Sequence, residues 1–196
     1  MRVVRELTAA QVQPLLDQIV SIYREAFSIP SYNKEKSQVV AFARSLPDHM
    51  QREAFRFVGG FDRNSGRMLG FAYGYTSARG QWWHVNVRSA LPPRLAGEWL
   101  EDSFQLTEIA VRSKDQGQGI GGQLHDRLLG GVPHAKAVLS TLDAQTVAYY
   151  MYQGRGWVTL LENYYFTGVS QPYRIMGLDF TQWATPRVPN SRHSLS

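Results

Sequence analysis

The residues whose types and spacing bear most directly on chemistry are the glycines of Gln116-Gly117-Gln118-Gly119-Ile120-Gly121-Gly122. Before them lies an apolar segment with Leu106, Ile109 and Val111. After them come Leu124, Leu128 and Leu129 at helical spacing, so the stretch reads as strand, glycine-rich turn and helix. The first N–H groups of a helix have no intrahelical acceptor, and the peptide dipoles add partial positive charge there. Phosphate is the usual guest of such a place. Glycines also serve ordinary tight turns, so the motif alone leaves an anion cradle and a plain turn both open. No Gly-Lys-(Ser/Thr) follows, which sets a nucleotide P-loop aside.

Other elements must position this turn. Val3 and Val4 suggest a first strand, and Thr8 is a plausible helix N-cap. Val12, Leu15, Leu16, Ile19, Val20, Ile22, Tyr23 and Phe27 then recur at helical spacing, with Pro14 able to delay or kink the start. Pro30 closes that segment, and a second helix is expected near Lys34–Leu46, ahead of Pro47. Tyr23, Phe27 and Tyr32 stand between these helices, as core or as the lining of a groove. Alternating aromatics in Phe55–Phe61 and Met68–Thr76, around an Asn-Ser-Gly turn, predict a β-hairpin. Gly70 and Gly74 inside its second strand imply a bend or a close backbone approach.

Residues 79–102 break the pattern, with Trp82, Trp83 and Trp99 and the pair Pro92-Pro93. They read as a long loop inserted between strands, and loops of this length in compact domains are usually functional. The tryptophans would equally pin such a loop to the core. His84 beside them is a pocket candidate. Beyond the glycines, Ala137–Leu142 reads as a strand and Ala144–Gly154 as a helix stopped by Gly154 and Gly156. Trp157–Leu161, Tyr164–Gly168 and Tyr173–Asp179 supply two or three last strands. Strands and helices alternate, which argues for a mixed α/β layer fold. One domain is expected over 1–184, followed by a flexible tail at 185–196.

Composition narrows the function classes. The chain has 196 residues, 43% of them hydrophobic and 12% aromatic, enough for one well-packed core. It has no cysteine, which excludes disulfides, thiolate metal sites and a cysteine nucleophile. The net charge of +5 is spread along the chain and suits an anionic small ligand at least as well as nucleic acid. The N-terminus lacks the apolar core of a signal peptide, and no uncharged apolar run approaches the roughly 20 residues that span a bilayer. A cytoplasmic protein with neither a nucleic-acid nor a membrane partner is expected.

Two segments belong together. Val111, Gln116, Gly119 and Gly121 fit Val-x-x-x-x-(Gln/Arg)-x-x-Gly-x-(Gly/Ala), and Ala148, Met151, Tyr152, Gly156 and Trp157 fit Ala-x-x-(apolar)-Tyr-x-x-x-Gly-(aromatic). In this order, the pair resembles the GNAT superfamily of acyl-CoA-dependent N-acyltransferases, and the resemblance covers roughly residues 2–180. It implies a central mixed sheet flanked by helices, whose fourth and fifth strands, here Gln105–Val111 and Ala137–Leu142, part to admit pantetheine. It implies acetyl-CoA as co-substrate and no metal. The pantetheine would run along Ile109, Ala110 and Val111. The pyrophosphate would sit on the amides of Gln116, Gly117, Gln118, Gly119, Ile120, Gly121 and Gly122. Arg112 or Lys114 would attract phosphate or stand as solvated loop charges.

The chemistry implied is direct transfer of an acetyl group to a primary amine of a small molecule or peptide. An alkylamine is almost wholly protonated at neutral pH, so a group must take its proton. Glu108, on the strand expected to line the cleft, is the candidate for binding or deprotonating it. By period two its side chain faces opposite Ile109 and Val111. Tyr152 matches the family tyrosine that touches the CoA sulfur. A phenol of pKa near 10 can donate to a thiolate of pKa near 8.5. The N–H of Val111 would donate to the thioester oxygen. Trp82, Trp83, His84 and Tyr32 are the candidates for the acceptor pocket. Asp143, Ala144 and Gln145 stand where many members carry Asn, and Trp157 replaces the commoner Phe as a core wedge. The alternatives are a non-catalytic acyl-CoA sensor on the same fold and an aminoglycoside-type N-acetyltransferase, the latter set back by a net basic chain. A homodimer is left open.

Overall fold

A computed structural model describes residues 1–27 and 36–183 of the chain. Tyr32 and the tail at 185–196 fall outside those residues. A seven-stranded sheet carries β1 (Arg2–Leu7), β2 (Arg56–Asp62), β3 (Met68–Thr76), β4 (Ser103–Val111), β5 (Lys136–Leu142), β6 (Val158–Tyr164) and β7 (Tyr173–Asp179). The order across it is β1-β2-β3-β4-β5-β7-β6, antiparallel except for the parallel pair β4–β5. Helices α1 (Ala9–Val12), α2 (Leu16–Phe27), α3 (Lys36–His49), α4 (Trp82–Ala90), α5 (Pro93–Leu100), α6 (Ile120–Leu129) and α7 (Val147–Gln153) complete the fold. Among the described residues, no helix is long and apolar enough to cross a membrane.

The layers follow from the side-chain pattern. Ile19, Ile22, Tyr23, Phe42 and Leu46 of α2 and α3 bury against Phe57, Phe71 and Tyr73 of the hairpin. The Tyr23 and Phe42 rings stack at 3.9 Å. On the opposite face, Ile120, Leu124 and Leu128 of α6 cover Val58, Leu69, Ala72 and Leu106. Strands covered on both sides lose the apolar–polar alternation, which is why β2 and β3 are buried almost throughout. The hairpin turn is tied by the Asp62 carboxylate, which accepts from Asn64 N, Ser65 N and Ser65 Oγ, with Gly66 at φ +69°.

The helix start at Thr8 and the interruption at Pro14 follow the sequence expectation, and two later boundaries differ from it. Thr8 caps α1 in a reciprocal box with Gln11, and Pro14 falls in a 3₁₀ turn (Gln13–Leu15) that separates α1 from α2. Helix α3 runs through Pro47 to His49 instead of stopping before the proline. Pro47 is solvent-exposed, so the carbonyl deprived of its partner can turn to water. Tyr164–Gly168 forms no strand of its own; β6 ends at Tyr164 and a turn leads to β7.

The larger correction concerns residues 79–102, expected as a loop and found as the helices α4 and α5. Pro93 occupies the first turn of α5, where its missing N–H costs nothing, so the proline pair starts a helix. Trp83, Val87, Leu91, Ala96 and Leu100 pack on Val138 and Ile175. Glu101 accepts from Arg79 and Arg88 at 2.7 and 2.8 Å, tying the two ends of the segment together.

Candidate functional site

The site is a parting of the sheet. β4 and β5 are paired only across Ser103–Lys136, Phe104–Ala137 and Gln105–Val138. Beyond these, β5 stays with β7 while β4 stays with β3. The cause lies in β4. Gly74 pairs with Leu106 and Tyr73 with Glu108, so Thr107 is an extra residue, a β-bulge. The bulge resets the alternation. Before it, Phe104 and Leu106 face the α6 side; after it, Ile109 and Val111 do, while Ala110 joins the α2–α3 core. Glu108 shares the parity of Ala110 and turns to the α2 side, where Tyr23 donates a hydrogen bond to it.

Two cavities open in the gap. One, of about 750 Å³, is a groove over the glycine turn. Ile109, Ala110, Val111, Gln116, Gly117, Gly119, Ile120, Gly121 and Gly122 form one wall, and Ala144–Ala148, Met151 and Arg155 the other. Arg112 N donates to Leu69 O at 2.9 Å. By the alternation of an antiparallel ladder, the N–H groups of Val111 and Ile109 therefore point away from β3, into the gap. Gly117 and Gly119 adopt φ of +71° and +77°, and Gly119 is the N-cap of α6. A side chain would be strained at either position. The Gln116 amide donates to Val111 O at 2.9 Å and so closes the end of β4 onto the turn.

The other cavity, of about 320 Å³, lies further along β4 and β5. Its walls include His49, Arg52, Tyr75, Trp82, Trp83, Gln105, Glu108, Phe166 and Tyr173. Tyr152 also lines it and is only 4% exposed. The two cavities share Phe27, Ile109 and Ala148, so they meet beside Glu108.

Burial, and behind it the charge of Glu108, raises the phenols of Tyr23, Tyr73 and Tyr173 above their ordinary range. Burial lowers His49 to about 4, so it is neutral at neutral pH, with Nδ1 3.0 Å from the Tyr73 hydroxyl. Glu108 and Arg52 are then the charged side chains of the cavity wall among the described residues.

Residues 94–175, from α5 to the start of β7, match the family model described as the acetyltransferase (GNAT) domain. A relative in Mycobacterium tuberculosis, the GCN5-like protein acetyltransferase Rv2170, is 34% identical over 118 residues, which make up 56% of this chain and 57% of that protein. The chain thus spans little more than half the length of this curated relative. Among solved structures, the ribosomal-protein-S18-alanine N-acetyltransferase from Escherichia coli superposes with a TM-score of 0.59 at 19% identity, covering 99% of this chain and 100% of the other. The yncA protein of Salmonella typhimurium, solved with its cofactor acetyl-CoA, gives 0.61 at 13% identity over 95% and 98%. At such identities the likeness is one of fold. In sequence, residues 94–175 are similar to the GNAT acetyltransferase domain, and in fold the chain is similar to these two structures.

Most residues expected to hold the donor line the groove, but Gln118 does not, and Tyr152 lines the smaller cavity instead. The Gln118 carbonyl and side-chain oxygen accept from Arg2, and its amide turns back to Lys114 O. Arg112 is engaged too, donating to Glu25 Oε2 at 2.7 Å and Met68 O at 3.0 Å. Trp82 and Trp83 line the smaller cavity, whereas His84 is off its wall. One position along α4 rotates the side chain by about 100°. This buries His84 at 1% exposure with Nδ1 3.1 Å from Ser77 Oγ.

Sequence reading missed Arg155. Its Nε and Nη2 bind Asp126 at 2.7 and 3.2 Å, and its guanidinium covers Gly122 in the first turn of α6. Asp126 is also met by His125 Nδ1 at 2.8 Å, and the Trp157 indole donates to His125 Nε2 at 2.8 Å. An indole N–H only donates, so His125 carries its proton on Nδ1 and donates to Asp126. Burial lowers the His125 pKa, consistent with the neutral ring. Trp157 is therefore more than a wedge in place of Phe, since its N–H anchors this chain. The spacing of Asp126 from Arg155, on two different elements, carries no local signal.

Proposed function

We propose that the chain is an acetyl-CoA-dependent N-acetyltransferase of the GNAT superfamily acting on a primary amine. The observation that carries the reading is the junction at Phe27, Ile109 and Ala148 between an anion-ready groove and an aromatic cavity. Two substrates held one in each would meet beside Glu108 and Tyr152. Acetyl-CoA supplies the thioester. Its pyrophosphate rests on the amides of the Gly117–Gly122 turn and on Arg155, whose Nη1 is not used by Asp126. Its pantetheine pairs with the outward backbone of Ile109 and Val111.

The amine enters from the smaller cavity and gives up a proton to Glu108, directly or through water. Its lone pair attacks the carbonyl carbon, and the Val111 N–H stabilises the developing oxyanion. As the C–S bond breaks, the Tyr152 phenol donates its proton to the departing thiolate; the second proton that the nitrogen sheds on becoming an amide restores the phenol through water, and the proton on Glu108 passes to solvent. Release of free thiol from acetyl-CoA, screened against a library of amines, tests this. Thiol release that depends on an amine supports transfer; acetyl-CoA binding with no release for any amine would make the protein a sensor.

A further inference from the structure

The cavity that would receive the amine carries one feature that deprotonation does not require. Arg52 stands on its wall, its guanidinium 4.4 Å from the centre of the Tyr75 ring. Arg56, Arg112, Arg155 and Arg174 are each held by a carboxylate, but Arg52 has no carboxylate partner among the described residues. Helix α3 delivers it, because the turn that continues past Pro47 carries His49 to the cavity, and Arg52 N then donates to His49 O at 3.1 Å. His49 beside it is neutral, so the positive end of the cavity rests on Arg52. Gln105, 4% exposed on the same wall, has an amide oxygen with no hydrogen-bond partner among the described residues.

The two charges are ordered along the sheet. Glu108 is paired with Tyr73 and lies next to Ile109, at the junction with the groove. Tyr75, which Arg52 covers, lies two residues further along β3, opposite Gln105. Two residues of strand are about 7 Å. A ligand spanning the cavity would thus present its nitrogen toward Glu108 and an anionic group toward Arg52. Trp82, Phe166 and Tyr173 give the same cavity an apolar wall, with the first two rings stacked at 5.2 Å and the last two edge-to-face at 5.4 Å. A polyamine would set a second cation against Arg52.

We propose that the acceptor is an amine that bears a carboxylate of its own, separated from the nitrogen by a short apolar chain, with the carboxylate docked on Arg52. This rests on the transferase reading above. The experiment measures thiol release from acetyl-CoA by the full chain with matched pairs: γ-aminobutyrate, δ-aminovalerate and ε-aminocaproate, each against the alkylamine of the same length. A charge-assisted contact to arginine predicts a kcat/KM about tenfold or more higher for at least one carboxylated member. Arg52→Gln collapses that ratio toward unity by raising KM, and Arg52→Lys restores part of it, with thermal melting of each variant confirming the fold. Equal or faster turnover of the alkylamines, or a ratio that survives Arg52→Gln, overturns the proposal. Absence of thiol release with every amine overturns the transferase reading instead.

Discussion

Arg155 lies side-on to Asp126, with Nε 2.7 Å from Oδ1 and Nη2 3.2 Å from Oδ2, and in this position its guanidinium occupies the space a side chain at residue 122 would take. Gly122 is thus a glycine for the sake of Arg155 as much as for the turn. If Arg155 holds a phosphate of acetyl-CoA, Arg155→Met weakens acetyl-CoA binding about tenfold or more, the range of one charge-assisted hydrogen bond. Gly122→Ala has the same direction for a different reason. The added methyl meets the far end of a flexible side chain, so Arg155 gives way. A helical alanine meanwhile stabilises by up to about 1 kcal/mol relative to glycine. Calorimetric titration and thermal melting of both variants check this. Unchanged affinity in Arg155→Met would remove the arginine from the donor site.

Tyr152→Phe tests the proton delivered to sulfur. The ring sits among His125 and Trp157, 6.1 and 5.7 Å away between centroids, and the substitution keeps that packing. Turnover should fall about a hundredfold or more, the usual loss for a general acid, while acetyl-CoA affinity stays near that of the parent protein. Full turnover in Tyr152→Phe would move the acid to another group.

Glu108→Gln separates base from binder. As a base, Glu108 is needed for the chemical step, so kcat drops about a hundredfold or more and the pH–rate profile changes shape. As a binder alone, its loss raises KM and leaves kcat in place. Steady-state kinetics over a range of pH, with one accepted amine, distinguish the two.

His49 links stability to pH. Its folded pKa, lowered by burial to about 4, lies below the roughly 6.5 of an unfolded histidine. Between those values the unfolded chain binds a proton that the folded chain does not. Its contribution is therefore intact above about pH 6.5 and is lost as pH falls toward 4. His84 and His125, also lowered first by burial, act in the same direction. Denaturant unfolding of His49→Gln at neutral pH and near pH 5 should show a smaller loss on acidification than the parent protein. An equal loss would assign the pH dependence to other groups.

Gly74→Ala should destabilise the domain by about 2 kcal/mol or more, since its methyl would overlap the Gln105 carbonyl and the Phe104 ring. Here the obstacle is backbone beside the bulge, which cannot move aside as Arg155 can. Thermal melting reads the effect, and an unchanged melting temperature would mean that β3 and β4 can separate locally without cost.

Much of this was legible in the sequence because it is local. The glycine turn and α6 follow from a few consecutive residues whose dihedrals and periodicity admit little else, as do the hairpin around Asp62–Gly66 and the helix ahead of Gly156-Trp157. The pairing of those two motifs pointed to the GNAT superfamily. The close approach expected at Gly70 and Gly74 is present, against Ala110 O and Gln105 O. What the tertiary structure decided depends on residues far apart in the chain. The bulge at Thr107 turns Glu108 toward Tyr23 and parts β4 from β5, and it shows only once β4 is paired with β3. Helix α3 passes Pro47 because that proline ends on the solvent side, which a propensity rule cannot know, and this carries His49 and Arg52 to the cavity. Residues 79–102 become two helices because β5 and β7 offer their apolar side chains a surface. Trp157, His125, Asp126 and Arg155 form one chain of hydrogen bonds because α6 and α7 pack on the same face of the sheet. Local chemistry built the glycine turn at the head of α6; only side chains brought together from separate elements built the cavity that lies beside it.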